Sequence, residues 1–234
     1  MYMGFDASKY VLNKNDTNRL LEAERLFAKF SKESSGYPAN MAIASTIYND
    51  TARFLQFTLN NAGNPFIQST IYKLNTHEFE RDVLAFFANF FHIASPDYYG
   101  YVTTGGTEGN MYGLYAARER YPEGILYYSK DAHYSIPKIA KILKMQSIEI
   151  ASQKNGEIDY KDFEKKIHSN RKRPAIILTS IGTAMKGAVD NIDHIVSILK
   201  KNGQQDYAIH CDAALGGMIL PFAQVLQNLI FLPP

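Results

Sequence analysis

The sequence has little of what would assign it to several specialised classes of protein. A single cysteine, Cys211, stands among its 234 residues, which excludes an intrachain disulfide and a metal site built from several cysteines. No apolar run reaches the length of about 18 residues that a membrane-spanning helix needs, and the first ten residues lack the apolar core of a signal peptide. We therefore expect a cytoplasmic protein with neither a resident metal nor a membrane partner.

The sequence also lacks an excess of either charge. It contains 25 lysine and arginine residues against 23 aspartate and glutamate residues, a formal net charge of +2. Proteins that bind nucleic acid present a strongly basic face to the phosphate backbone, so no nucleic-acid partner is expected. The hydrophobic content of 46% and the charged content of 21% are ordinary for a globular chain, and the length suffices for one large domain with a smaller piece.

The first part of the sequence has the patterns of helices. Apolar side chains at helical spacing predict helices over about 16–31, 49–60 and 76–91, the first of them capped by Asp16 or Thr17. The third helix carries an apolar stripe, which we interpret as core packing. The stripe consists of Phe79, Val83, Phe86, Phe87 and Phe90.

From Tyr99 onward, short apolar segments alternate with polar turns and helical patterns. Strands are predicted at 99–103, 125–128, 147–151, 175–179 and 207–212. Helices are predicted between them at 111–120, 136–145, 159–168 and 190–201. Strands that alternate with helices indicate an α/β fold with a mainly parallel sheet, over about 99–217. In such sheets ligands bind at the carboxyl ends of the strands, where this sequence places its polar turns.

The segment TTGGTEGN, residues 103–110, joins the first predicted strand to a helix through glycines. The first N–H groups of a helix have no partner within the helix, and the helix dipole adds partial positive charge there. Gly105 and Gly106 allow close approach of the backbone, and Thr107 offers a hydroxyl, so the segment predicts a phosphate site. The alternative is an ordinary tight turn with Thr107 as the helix N-cap.

Three further polar side chains stand at the ends of predicted strands. His133 and Thr183 each follow an apolar strand, although a lone histidine in a turn is about as often merely solvated or a helix cap. Asp212 ends an otherwise apolar strand, where a buried carboxylate destabilises the fold unless it has a hydrogen-bonding or charged partner. Because the carboxyl ends of parallel strands share one edge of a sheet, we expect all three side chains to lie beside the phosphate turn. A ligand with a phosphate, a flat ring and a basic nitrogen would use them all.

Four motifs, in their order along the chain, resemble those of a known family. They are TTGGTEGN at 103–110, YYSKDAHYS at 127–135, IGT at 181–183 and IHCDAALGGMILPF at 209–222. The sequence resembles the group II pyridoxal-phosphate-dependent decarboxylases and, within that group, the bacterial histidine decarboxylases in particular. The resemblance runs from the N-terminal helix to about Phe222. It implies the PLP-transferase-like fold, the aspartate aminotransferase fold type I, with pyridoxal 5'-phosphate as the cofactor.

The resemblance also implies an activity and partners. Members of this family remove the carboxyl group of an amino acid, and the similarity favours histidine, which would give histamine. The protonated ring of the cofactor accepts the electrons that are released at the α-carbon of the substrate. The resemblance further implies that the protein is a homodimer.

The resemblance assigns six residues to the cofactor. They are Gly106, Thr107, His133, Thr183, Asp212 and Ala214. The first two would hold the phosphate, while Thr183 would lie near the edge of the ring and Ala214 beneath it. His133 would stack on the ring and Asp212 would pair with its protonated nitrogen, so these two are the predicted catalytic residues.

One feature of the family has no counterpart in this sequence. The lysine that binds the cofactor covalently in the family lies beyond the motif aspartate, whereas this sequence has no lysine after Lys201 and no charged residue after Asp212. The lysines at positions 130, 138 and 186 precede the aspartate and match no such position. The segment after Phe222 departs from the family pattern altogether.

These features predict a helical N-terminal segment at 1–95, an incomplete cofactor-binding large domain at 96–222 and a divergent tail at 223–234. We therefore expect a truncated decarboxylase that is inactive on its own. Two alternatives stay open. One is a non-catalytic remnant that binds the cofactor or a partner, and the other, weaker, is an unrelated binder of phosphate or nucleotide.

Overall fold

The structure consists of two compact units. The computed structural model describes residues 13–33, 50–67, 72–93 and 98–222. The units are Met1–Leu59 and Asn60–Pro234, and the second contains the sheet and the candidate site. Among the helices of the described ranges, none combines the length and the apolar character that crossing a membrane requires.

The described part of the N-terminal unit is mainly helical. Helix α1 spans Lys14–Glu33. It begins before the predicted start because Asn13 caps it: the Asn13 side-chain carbonyl accepts a hydrogen bond from the backbone N–H of Asp16 at 3.0 Å. The prediction that Asp16 or Thr17 caps this helix is therefore wrong.

The helix predicted at 49–60 is shorter than expected. Residue 49 lies outside the described residues, residues 50–52 are helical, and a 3₁₀ helix at Arg53–Gln56 ends the segment. The Arg53 side chain donates to the carbonyl of Asp50 at 2.7 Å, and the Gln56 side chain donates to the carbonyl of Arg53 at 2.9 Å. Side chains thus occupy carbonyl groups that a longer α-helix would bond to its own N–H groups.

From residue 106 onward, the second unit alternates helices and strands in the predicted order. Its helices are α2 (His77–Phe90), α3 (Gly106–Arg120), α4 (Ser135–Ile142), α5 (Tyr160–Asn170) and α6 (Ile192–Lys201). Its strands are β1 (Ile125–Ser129), β2 (Ser147–Ile150), β3 (Ala175–Ser180) and β4 (Tyr207–Asp212). The four strand predictions from residue 125 onward are confirmed to within one residue at each end.

All four strands are parallel and lie in the order β2–β1–β3–β4. In the register of the sheet, Ile125 pairs with Ala175, and Ser180 pairs with Asp212. The carboxyl ends of β1, β3 and β4 consequently lie along one edge. The polar turns that follow these strands share that edge, as expected for a parallel sheet.

Helices cover both faces of the sheet, which explains the continuous apolar sequences of its central strands. Along β1, Ile125 and Tyr127 pack with residues of α5 and α6, while Leu126 and Tyr128 pack with residues of α3 and α4. Each of these four side chains is buried. Successive residues of a strand point to opposite faces, so a strand between two helical layers needs apolar residues at every position.

The strand predicted at 99–103 does not form. Instead, the N–H of Val102 donates to the carboxylate of Glu80 at 2.8 Å, and the N–H of Thr104 donates to the carboxylate of Glu108 at 2.8 Å. These backbone donors are bound to side chains of α2 and α3, so they are not available to a neighbouring strand. The alternating sequence of 99–103 is therefore a poor guide to its structure.

Three of the five side chains in the apolar stripe of α2 are exposed, so its interpretation as core packing is wrong for Phe79, Val83 and Phe86. Phe87 and Phe90 are half-buried. Phe79 is 63% exposed and Phe86 is 56% exposed. The buried residues of the helix are His77, Glu80 and Ala88. Glu80 faces inward because its carboxylate accepts hydrogen bonds from the side chain of Asn61 as well as from Val102.

Candidate functional site

A cavity of about 310 Å³ lies at the carboxyl ends of β1, β3 and β4. All six residues that the sequence assigns to a cofactor line it: Gly106, Thr107, His133, Thr183, Asp212 and Ala214. The other lining residues are Asn110, Tyr134, Ser180, Gly182, Ala184 and Leu215. The structure thus brings the predicted residues together at one edge of the sheet, while their roles toward a cofactor stay predictions.

The amino-terminal end of α3 forms one wall of the cavity. The helix begins at Gly106, five residues before its predicted start, and its N-cap is Gly105 without a side-chain hydrogen bond. Thr107 lies inside the helix, so the alternative in which Thr107 is the N-cap is wrong. The N–H groups of Glu108 and Gly109 donate to the carbonyl of Gly105, whereas those of Gly106 and Thr107 have no acceptor among the described residues. Two unpaired donors at a helix N-terminus are suited to bind an anion.

Gly106 also brings this wall close to the turn after β4. A Cβ atom at position 106 would lie only 2.8 Å from the Cβ atom of Ala214. Real Cβ atoms do not approach so closely, so a larger residue at either position would separate the helix from the turn. The contact fixes the distance between the N-terminus of α3 and the turn after β4.

The ring of His133 is oriented by the start of α4. Its Nδ1 atom lies 2.8 Å from the hydroxyl oxygen of Ser135, and the backbone N–H of Ser135 donates to Nδ1 at 3.3 Å. Because Nδ1 accepts these bonds, the neutral ring carries its proton on Nε2. Tyr134 lies against the same ring, with 4.2 Å between the ring centroids. The imidazole is therefore held by its immediate neighbours in the sequence.

Thr183 belongs to a closed turn that follows β3. Its hydroxyl oxygen accepts a hydrogen bond from the N–H of Ala188 at 3.0 Å, and its carbonyl accepts one from the N–H of Gly187 at 2.7 Å. The preceding residue, Gly182, has a φ of +95°, a conformation that favours glycine. Within the described ranges, the hydroxyl proton of Thr183 has no acceptor, so it can donate to a ligand.

A buried carboxylate that the sequence analysis did not single out supports this turn. Asp190 accepts hydrogen bonds from the N–H of Ser180 at 2.8 Å and from the N–H of Ile158 at 2.7 Å. Burial raises the pKa of the Asp190 carboxyl group. Asp190 thereby fixes the carboxyl end of β3 beside the cavity. In the sequence it is indistinguishable from an ordinary residue at a helix start, because its partners lie in other elements.

Asp212 does have the partner that its position predicts, but the partner is an amide. One carboxylate oxygen of Asp212 accepts from the side-chain NH₂ of Asn110 at 2.8 Å, and the other accepts from the N–H of Ala214 at 3.2 Å. The carbonyl oxygen of Asn110 lies 2.8 Å from Nε2 of His210. Both Asn110 and His210 lie within recognised motifs, yet no local pattern marked them as functional.

These features fit a ligand with a phosphate and a flat basic ring. The phosphate would meet the free N–H groups at positions 106 and 107, the ring would lie between His133 and Ala214, and Asp212 would meet its nitrogen. No lysine is among the residues that line the cavity in the described part of the chain. The ammonium group of Lys186 is instead paired with the carboxylate of Asp131 at 2.7 Å.

Comparison with known proteins identifies the family. Residues 59–230 match the family described as the pyridoxal-dependent decarboxylase conserved domain. The chain belongs to the pyridoxal-dependent decarboxylase family. The prediction from its motifs is thereby confirmed, including pyridoxal 5'-phosphate as the cofactor of the family.

The chain is also similar to individual members of the family. It is 45% identical over 222 residues to histidine decarboxylase from Morganella morganii, and 46% identical over 200 residues to serine decarboxylase 2 from Oryza sativa. A crystal structure of L-methionine decarboxylase from Streptomyces sp. 590 covers 95% of this chain with a TM-score of 0.77 at 23% identity. That structural similarity confirms the predicted PLP-transferase-like fold.

The chain spans only part of these relatives. The matched residues make up 94% of this chain but 58% of the Morganella enzyme, and 85% of this chain but 42% of the Oryza enzyme. The methionine decarboxylase is covered over 60% of its length. The activity, substrate and partners of a whole protein therefore do not follow from the match itself.

Proposed function

We propose that this chain is the cofactor-binding part of a pyridoxal-phosphate-dependent amino-acid decarboxylase whose substrate is histidine. The observation that carries this proposal is the cavity at the sheet edge, where two free helix N–H groups, an imidazole and a carboxylate face one space. Membership of the family supports the reaction class. The name of the Morganella relative supports histidine, and the name of the Oryza relative makes serine the second candidate.

Each of the six predicted residues has a distinct task in this proposal. The N–H groups of Gly106 and Thr107 bind the phosphate, and His133 covers one face of the ring. Asp212 pairs with the protonated ring nitrogen and keeps the ring positively charged. When bound, the cofactor supplies a sink for the electrons that loss of the carboxyl group leaves on the substrate. Thr183 and Ala214 border the ring and limit where it can lie.

We further propose that the chain on its own does not catalyse decarboxylation. The motive is the absence of lysine among the described residues of the cavity wall, together with the absence of any lysine after Lys201 in the sequence. Removal of the group that bonds covalently to a cofactor typically costs orders of magnitude in rate. A non-catalytic cofactor- or partner-binding role is the alternative for the isolated chain.

The proposal includes a domain division and a cellular context. Residues 96–222 form the partial cofactor-binding domain, 1–95 the helical segment that precedes it, and 223–234 the divergent tail. The intact protein is a cytoplasmic homodimer that acts on a free amino acid. The exposed apolar stripe of α2 supports self-association, since large exposed apolar surfaces often mark protein interfaces.

The test is a titration of the purified chain with pyridoxal 5'-phosphate, followed by assays of carbon dioxide release from histidine, serine and methionine. We expect weak, reversible binding of the cofactor and no turnover above a control with cofactor alone. Borohydride treatment should fix no cofactor to the chain. Turnover of histidine, together with cofactor fixed to one lysine, would show that the chain is active and that a lysine before Asp212 has taken the family's role.

A further inference from the structure

Beneath the cavity, a chain of hydrogen bonds joins α3 to β4. Asn110 is 4% exposed and lies between the other two members of the chain, His210 and Asp212. Its amide NH₂ donates to a carboxylate oxygen of Asp212 at 2.8 Å, and its amide oxygen lies 2.8 Å from Nε2 of His210. Asn110 is 100 residues from His210 and 102 residues from Asp212 in the sequence, so only the fold brings it to these two residues of β4.

The chemistry of these groups permits one arrangement of protons when Asp212 is ionised. A carboxylate only accepts hydrogen bonds, so Asn110 must present its NH₂ to Asp212 and its oxygen to His210. The oxygen of an amide only accepts, so Nε2 of His210 must carry a proton. The reversed amide would place an oxygen against the carboxylate of Asp212, and that contact would be repulsive unless Asp212 were protonated.

The packing around His210 keeps the ring in this position. Gly113 lies one helical turn after Asn110 on α3, and a Cβ atom there would overlap the ring of His210. Burial lowers the pKa of His210, and the nearby Asp212 opposes this change. His210 is half-buried, and its ring lies against Gly113 with Nε2 2.8 Å from the amide oxygen of Asn110, so the ring cannot rotate without losing this hydrogen bond.

We infer that Asn110 and His210 are positioning residues that hold the carboxylate of Asp212 toward the ring nitrogen of the cofactor. This inference rests on the proposed function, because it takes the pyridine ring as the group that Asp212 meets. Asn110 fixes one oxygen of Asp212 and the N–H of Ala214 fixes the other, which leaves a free lone pair on each oxygen for the cavity. His210 acts through Asn110 and prevents reversal of its amide.

A pair of ligands separates this role from a merely structural one. The first is pyridoxal 5'-phosphate, and the second is its analogue in which carbon replaces the ring nitrogen. The unmodified chain should bind the first more tightly, because only that ligand pairs with Asp212. Asn110→Leu removes both hydrogen bonds at nearly constant size, and we expect it to reduce this preference by about tenfold. Its affinity for the carbon analogue should change little.

Two substitutions at position 210 test the role of His210 in the hydrogen-bond chain. His210→Phe removes the donor and should reduce the preference for pyridoxal 5'-phosphate in the same direction as Asn110→Leu. His210→Gln keeps an N–H donor at a similar reach and should restore the preference. Gln204→Leu is the matched control, because Gln204 is also a buried amide, but it donates to the carbonyls of Arg173 and Asp206 at the other end of the sheet. It should leave the preference unchanged.

A measurement without cofactor tests the hydrogen-bond chain itself. Nitrogen NMR of the histidine-labelled chain should show His210 as the neutral tautomer protonated on Nε2, and Asn110→Leu should remove that restriction.

An equal preference for the two ligands in the unmodified chain and in the Asn110 and His210 variants would overturn the inference while leaving the cofactor site intact. Failure of the unmodified chain to bind either ligand at millimolar concentration would overturn the proposed cofactor site, and the inference with it. A different tautomer would refute the proton arrangement directly.

Discussion

The cavity edge of the sheet and the outer face of α2 differ in how many of their contacts one chain supplies. At the cavity edge, the polar side chains of Asn110, Asp190 and Asp212 all have hydrogen-bond partners supplied by this chain. On α2, apolar rings such as that of Phe79 remain largely in solvent. The difference teaches that the contacts of the cavity edge are supplied within one contiguous α/β segment, whereas the described residues of this chain leave much of the apolar face of α2 exposed.

The largest effect is expected when a buried hydrogen-bonding side chain is removed from the cavity edge. Asp190→Ala should destabilise the fold by about 2–6 kcal/mol, because it leaves the buried N–H groups of Ser180 and Ile158 unpaired at about 1–3 kcal/mol each. Urea unfolding measures the loss. The control is Asp159→Ala, which removes the more exposed N-cap of α5 and should cost about 1 kcal/mol. A smaller loss for the Asp190 variant than for the control would contradict the importance of this contact.

A substitution at Gly106 tests the wall that is proposed to bind the phosphate. Gly106→Ala would place a Cβ atom 2.8 Å from that of Ala214, so the helix end must move away from the turn. We expect the affinity for pyridoxal 5'-phosphate to fall by about tenfold, the lower range for forcing an extra methyl group into a packed contact. Gly109→Ala is the matched control in the same helical turn, since its Cβ atom would meet only the hydroxyl of Thr103 at 3.9 Å. Equal effects of the two variants would argue against the close contact.

The elevated pKa of Asp190 predicts a pH dependence of stability. Because burial raises this pKa in the folded state, the folded chain holds the proton more tightly than the unfolded chain does. The stabilisation from this group is therefore complete below its ordinary pKa of about 4 and is lost as the pH rises through the folded value. The unfolding free energy of the unmodified chain should fall with rising pH in this range relative to that of Asp190→Asn. A parallel pH profile for the two proteins would refute the direction of the shift.

Much of the fold could be predicted from the sequence because its signals are local. Strands β1 and β3 have continuous apolar sequences since helices cover both faces of the sheet, and that pattern is visible without a structure. The clustering of His133 and Asp212 beside the phosphate turn follows from the same topology, because carboxyl ends of parallel strands share an edge. The strand predicted at 99–103 does not form, and the carboxylate of Glu80, 22 residues earlier in the chain, binds the N–H of Val102. A partner so far away in the sequence is not visible in a local pattern.

The supporting residues of the site could not be predicted in the same way. Asn110 and Asp212 are 102 residues apart, and the contact between them depends on how α3 packs against β4. Asp190 resembles the start of a helix in the sequence, and only the folded chain shows that it bonds to two other elements. The interpretation of the α2 stripe as core packing failed for a different reason. Apolar periodicity indicates that one face of a helix is covered, but it does not show whether the same chain covers that face.

The smallest expected effect on stability is for a substitution in the apolar stripe of α2. It tests the exposed face of the helix, as the preceding substitutions test the cavity edge. Phe79 is 63% exposed, so Phe79→Ser should change the unfolding free energy by no more than about 0.5 kcal/mol at low protein concentration. Leu126→Ala, at a fully buried position of the sheet, should cost about 2–5 kcal/mol and serves as the contrast.

The proposed homodimer adds a second readout, because a polar residue in the stripe should weaken self-association measured by light scattering at micromolar concentration. A large loss of stability at low concentration would mean that Phe79 belongs to the core of the single chain. Unchanged association with unchanged stability would mean that the stripe is not the surface through which copies of this chain meet.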